Sequence, residues 1–114
     1  MVENYIPSRG DLIWLSFSPQ LGYEQAGRRP ALIITGFEYN SLTGLCLACP
    51  VTKKIKGYPF EVIVPEPLPI EGVILTDHIK SLDYDTRDAE FICKLPLEAF
   101  DETLAKLEAL IFID

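Results

Sequence analysis

The chain of 114 residues carries ten Lys/Arg, seventeen Asp/Glu and one His, a formal net charge of −7, and 48% of it is hydrophobic. That length is expected to make one domain, residues 1–114, with enough core to fold without a metal or a disulfide. The three cysteines are an odd number, the first residues lack a basic start and a long apolar run, and no apolar segment approaches the roughly 18 residues of a membrane span, so a reducing cytoplasm is the expected compartment.

The acidity argues at first against nucleic acid, whose phosphates are bound by Lys and Arg. Its distribution weakens that objection. Residues 1–82 hold seven Lys/Arg and eight Asp/Glu, whereas residues 83–114 hold three and nine. Arg28, Arg29, Lys53, Lys54, Lys56 and Lys80 fall in two loops and one strand end, which allows a local positive groove on an acidic body.

In chain order, residues 11–17 read as a strand with Ile13, Leu15 and Phe17 on one face and Leu12 and Trp14 on the other. A strand apolar on both faces lies between layers. Residues 22–30, GYEQAGRRP, then place a carboxylate and two guanidiniums in a loop where Gly22 and Gly27 allow backbone conformations that other residues resist. Pro30 favours an extended Arg29, whose planar five-donor head can meet a phosphate or carboxylate bidentately. Glu24 can equally pair with Arg28 or Arg29 in a solvated hairpin.

Residues 30–37 form a second strand, 39–44 a turn, and 45–52 a third strand containing C-x-x-C. Residues three apart on a strand point to opposite faces, so Cys46 and Cys49 are expected to be small core residues and no metal site is expected. Lys53, Lys54 and Lys56 follow Thr52 either as solubility charges or as contacts to a phosphate backbone. Residues 58–64 and 72–81 are expected as strands four and five. On the fifth, the inward face is either Val73, Leu75, Asp77 and Ile79 or the alternate set with Thr76, His78 and Lys80. His78, the one histidine, is a candidate groove residue and reserve base.

After the acidic turn 83–88 and a short strand at 89–94, Leu97, Phe100, Leu104, Leu107 and Ile111 recur at helical spacing, and Pro96 suits the helix start. The expected architecture is mainly β: a small, partly open SH3-like antiparallel barrel of five to seven strands with a C-terminal amphipathic helix packed on it.

With these motifs in place, the chain resembles the MazF/PemK/Kid family of toxin endoribonucleases nearly end to end. The matching pieces are GDLIW at residues 10–14, EQAG followed by RP at residues 24–30, CPVT ending at Thr52, KGYPFE at residues 56–61 and DHIKS at residues 77–81. The resemblance implies a homodimeric, metal-independent ribonuclease without cofactor that cuts single-stranded messenger RNA at short motifs. It also implies a MazE-like antitoxin whose acidic disordered tail fills the RNA groove. Its catalytic arginine and threonine fall on Arg29 and Thr52, and its loop glutamate on Glu24.

Cutting RNA without a metal means attack of the 2′-OH on its own phosphate, which requires a base, an acid and charge stabilisation. An arginine stays protonated in proteins, which suits Arg29 to the last of these and makes Glu24 the better base. Arg28, Lys53, Lys54, Lys56, Lys80, Tyr58 and His78 are the expected RNA contacts, with Tyr58 stacking a base. Related small barrels that poison DNA gyrase by binding are the alternative, and fold alone does not decide between the two.

Overall fold

The structure, a computed structural model, describes residues 4–17 and 27–114. Seven strands form: β1 (Asp11–Ser16), β2 (Arg28–Ile33), β3 (Leu45–Thr52), β4 (Glu61–Ile63), β5 (Val73–Leu75), β6 (Lys80–Asp83) and β7 (Glu90–Lys94). Helix α1 (Phe37–Thr43) joins β2 to β3, a 3-10 turn (Thr76–His78) separates β5 from β6, and α2 (Leu97–Phe112) closes the chain. Every pairing is antiparallel, in the order β4-β5-β3-β2-β1-β7 with β6 also beside β3.

The expected SH3-like barrel is therefore wrong. The sheet is open, ending at β4 on one side and β7 on the other, and among the described residues no ladder joins the two. The cause lies in β3. One of its edges pairs with β2, while the other is divided, Leu45–Ala48 facing β6 and Val51–Thr52 facing β5. Dividing that edge sends the later strands to two ends of β3 instead of onward around a cylinder. With two helices added, the fold is mixed α/β.

Strand alternation gives the sheet two apolar faces. Leu12, Leu32, Cys49 and Val51 pack with Phe100 and Leu107 of α2, while Ile13, Leu15, Ala31, Ile33 and Cys46 pack with Leu82 and Tyr84. The face that α2 buries is Ala99, Phe100, Thr103 and Leu107; Leu97, Leu104 and Ile111 of the expected stripe stay exposed.

Helix α1 replaces an expected turn, and a polar residue anchors it. Asn40 is fully buried, its Nδ2 donating to the carbonyls of Pro7 (2.7 Å) and Thr35 (3.1 Å) and its Oδ1 accepting from Thr35 Oγ1 (2.6 Å). The Tyr84 hydroxyl donates to the Asn40 carbonyl at 2.8 Å, tying α1 to the chain after β6. The expected fifth strand is also broken. Thr76 donates to the Phe60 carbonyl through both Oγ1 (2.7 Å) and its backbone N–H (3.2 Å), which turns the chain out of the ladder at that point.

Cys46 and Cys49 lie on opposite faces of β3, in the two different clusters, and all three cysteines are free. Burial pushes both thiols up to about 12, with Asp83 adding to Cys46 and Asp77 to Cys49. The folded chain thus keeps these protons at pH values where the unfolded chain, with thiols near the ordinary value of about 8.5, loses them. The stabilisation is complete below that value and is lost as the pH rises through about 12. Iodoacetamide at pH 8 is expected to leave Cys46 and Cys49 unmodified in the native chain and to alkylate both in urea; mass spectrometry reads the difference, and native labelling would contradict it.

Candidate functional site

Arg29 near the start of β2 and Thr52 at the end of β3 each lie two residues beyond the paired Ala31 and Pro50, so the strands bring them side by side. Two clefts meet there, sharing Arg29, Thr52 and Lys54. The first, about 750 Å³, adds Arg28 and Lys53 to these cations and is floored by Trp14, Leu68 and Ile70. The second, about 490 Å³, is lined by Lys56, Tyr58, Glu61, Asp77 and His78.

Thr52 is 9% exposed, and its Oγ1 accepts the backbone N–H of Lys54 at 3.2 Å. That bond leaves the hydroxyl proton available to a ligand oxygen. Thr52 is fixed from behind by Gly72, which has φ +126°; a Cβ there would fall 2.2 Å from the Thr52 carbonyl oxygen. The close approach also holds segment 68–71 against the cleft.

The loop after Thr52 is held by Glu61. Its carboxylate accepts from the backbone N–H of Gly57 (2.9 Å) and of Lys56 (3.2 and 3.3 Å to its two oxygens). Lys106 of α2 donates to the Glu61 carbonyl at 2.8 Å. Lys56 Nζ stands 5.7 Å from the centre of the Tyr58 ring, within cation–π range.

The expected residues divide as follows. Lys53, Lys54, Lys56, Tyr58 and His78 line the clefts with Arg29 and Thr52, and the 3-10 turn that breaks the expected fifth strand carries His78 there. Arg28 reaches the first cleft while its guanidinium is tied to the Asp88 carbonyl (2.8 Å) and Glu90 (3.3 Å). Lys80 lies on β6 opposite Ala48 and lines neither cleft. Glu24 lies outside the described residues. Glu61, Glu71 and Gly72 were not singled out, although a glutamate ending KGYPFE and an acid–glycine pair closing a proline-rich loop were visible in the sequence. Among the described residues no three His, Cys, Asp or Glu side chains are grouped to hold a metal ion, and no helix is long and apolar enough to cross a membrane.

A cleft lined by Arg28, Arg29, Lys53 and Lys54 beside Thr52 has the charge and the donors that suit an anion such as a phosphodiester chain. The family model of PemK-like, MazF-like toxins of type II toxin–antitoxin systems matches residues 8–111, and the chain belongs to that family. It is 43% identical over 111 residues to the endoribonuclease toxin MazF of Escherichia coli strain K12, a match covering 97% of this chain and 99% of that protein. It superposes on a crystal structure of MazF from Deinococcus radiodurans with a TM-score of 0.92 at 49% identity, covering 95% of this chain and 98% of the other. A MazE–MazF crystal structure from the same organism matches with a TM-score of 0.85 at 43% identity, covering 97% and 100%.

Proposed function

We propose that RNA is cut where the two clefts meet, with Arg29 and Thr52 on the scissile phosphate. The chain is the toxin of a type II toxin–antitoxin system and an endoribonuclease acting on single-stranded RNA. The observation that supports the site is that both clefts share Arg29 and Thr52, so a strand threaded through them passes this pair.

In the proposed reaction Glu24 takes the proton of the 2′-OH, whose oxygen attacks the adjacent phosphorus as the bond to the 5′-oxygen breaks. Arg29 stabilises the charge gathering on the phosphoryl oxygens and hydrogen-bonds to the departing 5′-oxygen, keeping its own proton while water supplies the proton of the 5′-hydroxyl. Thr52 fixes the phosphate through its hydroxyl proton, Lys53, Lys54 and Lys56 neutralise flanking phosphates, and Tyr58 stacks a base. The products are a 2′,3′-cyclic phosphate and a 5′-hydroxyl.

An antitoxin is the chain's regulatory partner. A groove rich in Arg and Lys favours an acidic segment of that antitoxin as the competitor of RNA. The working form is proposed to be a homodimer, which would cover apolar residues left exposed here such as Ile63 and Ile111.

The test is incubation of the full chain with a long single-stranded RNA in EDTA, with fragment ends mapped by primer extension. Discrete cuts are expected, with 5′ ends that a kinase labels without prior phosphatase treatment. Cutting only with added divalent metal, or 5′-phosphate ends, would overturn the mechanism.

A further inference from the structure

The first cleft contains a carboxylate that phosphate binding does not explain. Glu71 lines it together with Arg28, Arg29, Lys53 and Lys54. An anionic group beside a path for phosphates repels them, so its presence costs affinity for the RNA backbone. Nor is it consumed in holding the fold, since no hydrogen bond or ion pair of its carboxylate occurs among the described residues. Glu61 in the second cleft differs in this respect, its carboxylate being occupied by backbone N–H groups.

The surroundings of Glu71 are those of a flat ligand with hydrogen-bond donors on its edge. Trp14, Leu68 and Ile70 give an apolar floor, and about 750 Å³ is space for a nucleotide. The position is also fixed. Gly72, the next residue, lies so close to the Thr52 carbonyl that it admits no side chain, which keeps the backbone next to Glu71 against the end of β3, while the Glu71 side chain itself is exposed.

We infer that the first cleft is a base-reading subsite in which Glu71 accepts a hydrogen bond from the exocyclic amino group of a cytosine, adenine or guanine next to the cut, and disfavours uracil. A carboxylate is an acceptor only, and uracil offers one ring N–H set between two carbonyl oxygens that the carboxylate repels. The apolar floor supports the ring and the cations hold the flanking phosphates, so identity is read by a different group from those that supply affinity. This inference rests on the ribonuclease function and deepens it to a preference at one nucleotide.

The experiment compares wild type, Glu71→Gln and Glu71→Ala on a library of short single-stranded RNAs randomised around one cleavage site, with relative kcat/KM read for each base at each position. At one position beside the cut, wild type is expected to favour amino-bearing bases over uracil by about tenfold or more, and both variants are expected to lose most of that preference while preferences elsewhere persist. Gln is the more informative change, because its amide keeps the shape and can donate to a uracil carbonyl. Unchanged base preferences in both variants, with wild type cutting normally, would overturn the subsite and leave the ribonuclease function standing. Failure of wild type to cut any RNA would overturn both. A uniform loss across all bases in both variants would overturn the reading role and make Glu71 a residue that serves cleavage in general.

Discussion

Arg29→Ala is expected to lower RNA cleavage by about 10² to 10³-fold while leaving the thermal unfolding transition nearly in place. The size follows from the role proposed for it: a charged donor that stabilises the phosphoryl oxygens as they gain negative charge in the reaction. The fold tolerates the change because Arg29 lies near the outer end of β2, beyond the buried run Ala31–Ile33. Arg29→Lys should recover only part of the loss, since an ammonium supplies a point charge without the paired donors of a guanidinium. Fragment assays in EDTA together with circular dichroism melts check both expectations. A variant that cuts at the wild-type rate would remove Arg29 from the chemistry, and one that fails to fold would assign it to the scaffold.

Gly72→Ala is expected to cost both stability and activity, although residue 72 lines neither of the two clefts that meet at Arg29 and Thr52. Its φ of +126° is a conformation that L side chains rarely adopt, and the added Cβ would fall 2.2 Å from the Thr52 carbonyl oxygen. The obstacle is backbone, so no side chain can swing aside to relieve it. Val73 pairs with Thr52 in the β3–β5 ladder, so relief must come from moving one strand against the other. A stability loss of about 3 kcal/mol, or a fall in melting temperature on the order of 10 °C, is expected. Activity measured well below the new transition should still fall by about 10²-fold, because a displacement near 1 Å misplaces the Thr52 hydroxyl. Wild-type kcat/KM in a folded Gly72→Ala protein would show that the close approach has no part in positioning Thr52.

How much of this was legible in the sequence depends on what each residue does. The β3 bounds and the start of α2 were readable from the turn ending at Gly44 with the lysine loop after Thr52, and from Pro96 before an apolar periodicity. Helix α1 was not, because its anchor is the amide of Asn40, and a polar anchor leaves no hydrophobic period to detect. Closure of the sheet was also beyond reach. Alternation identifies strands and their faces, whereas which edge meets which is decided by the division of β3 between β5 and β6.

At the site, Arg29, Thr52 and the lysines announce themselves by chemistry and by the motifs around them. Gly72 acts through its approach to Thr52 on another strand and Glu71 through its place in a cleft, while Glu61 grips the nearby backbone N–H groups of Lys56 and Gly57; none of these leaves a side-chain pattern in the sequence. The break at Thr76–His78 illustrates the same limit, since the Phe60 carbonyl that captures Thr76 lies 16 residues earlier.

The hold that Glu61 has on the loop after β3 separates two kinds of heritable change. Its carboxylate grips the amide N–H groups of Lys56 and Gly57, which every residue except proline supplies, so the side chain at position 56 can be exchanged without unseating the wall it stands on. Shape is encoded at Glu61, and charge and stacking are encoded at the loop positions. If RNA runs along this groove as proposed, a lineage carrying this arrangement can drift in how strongly it grips RNA while the groove keeps its outline.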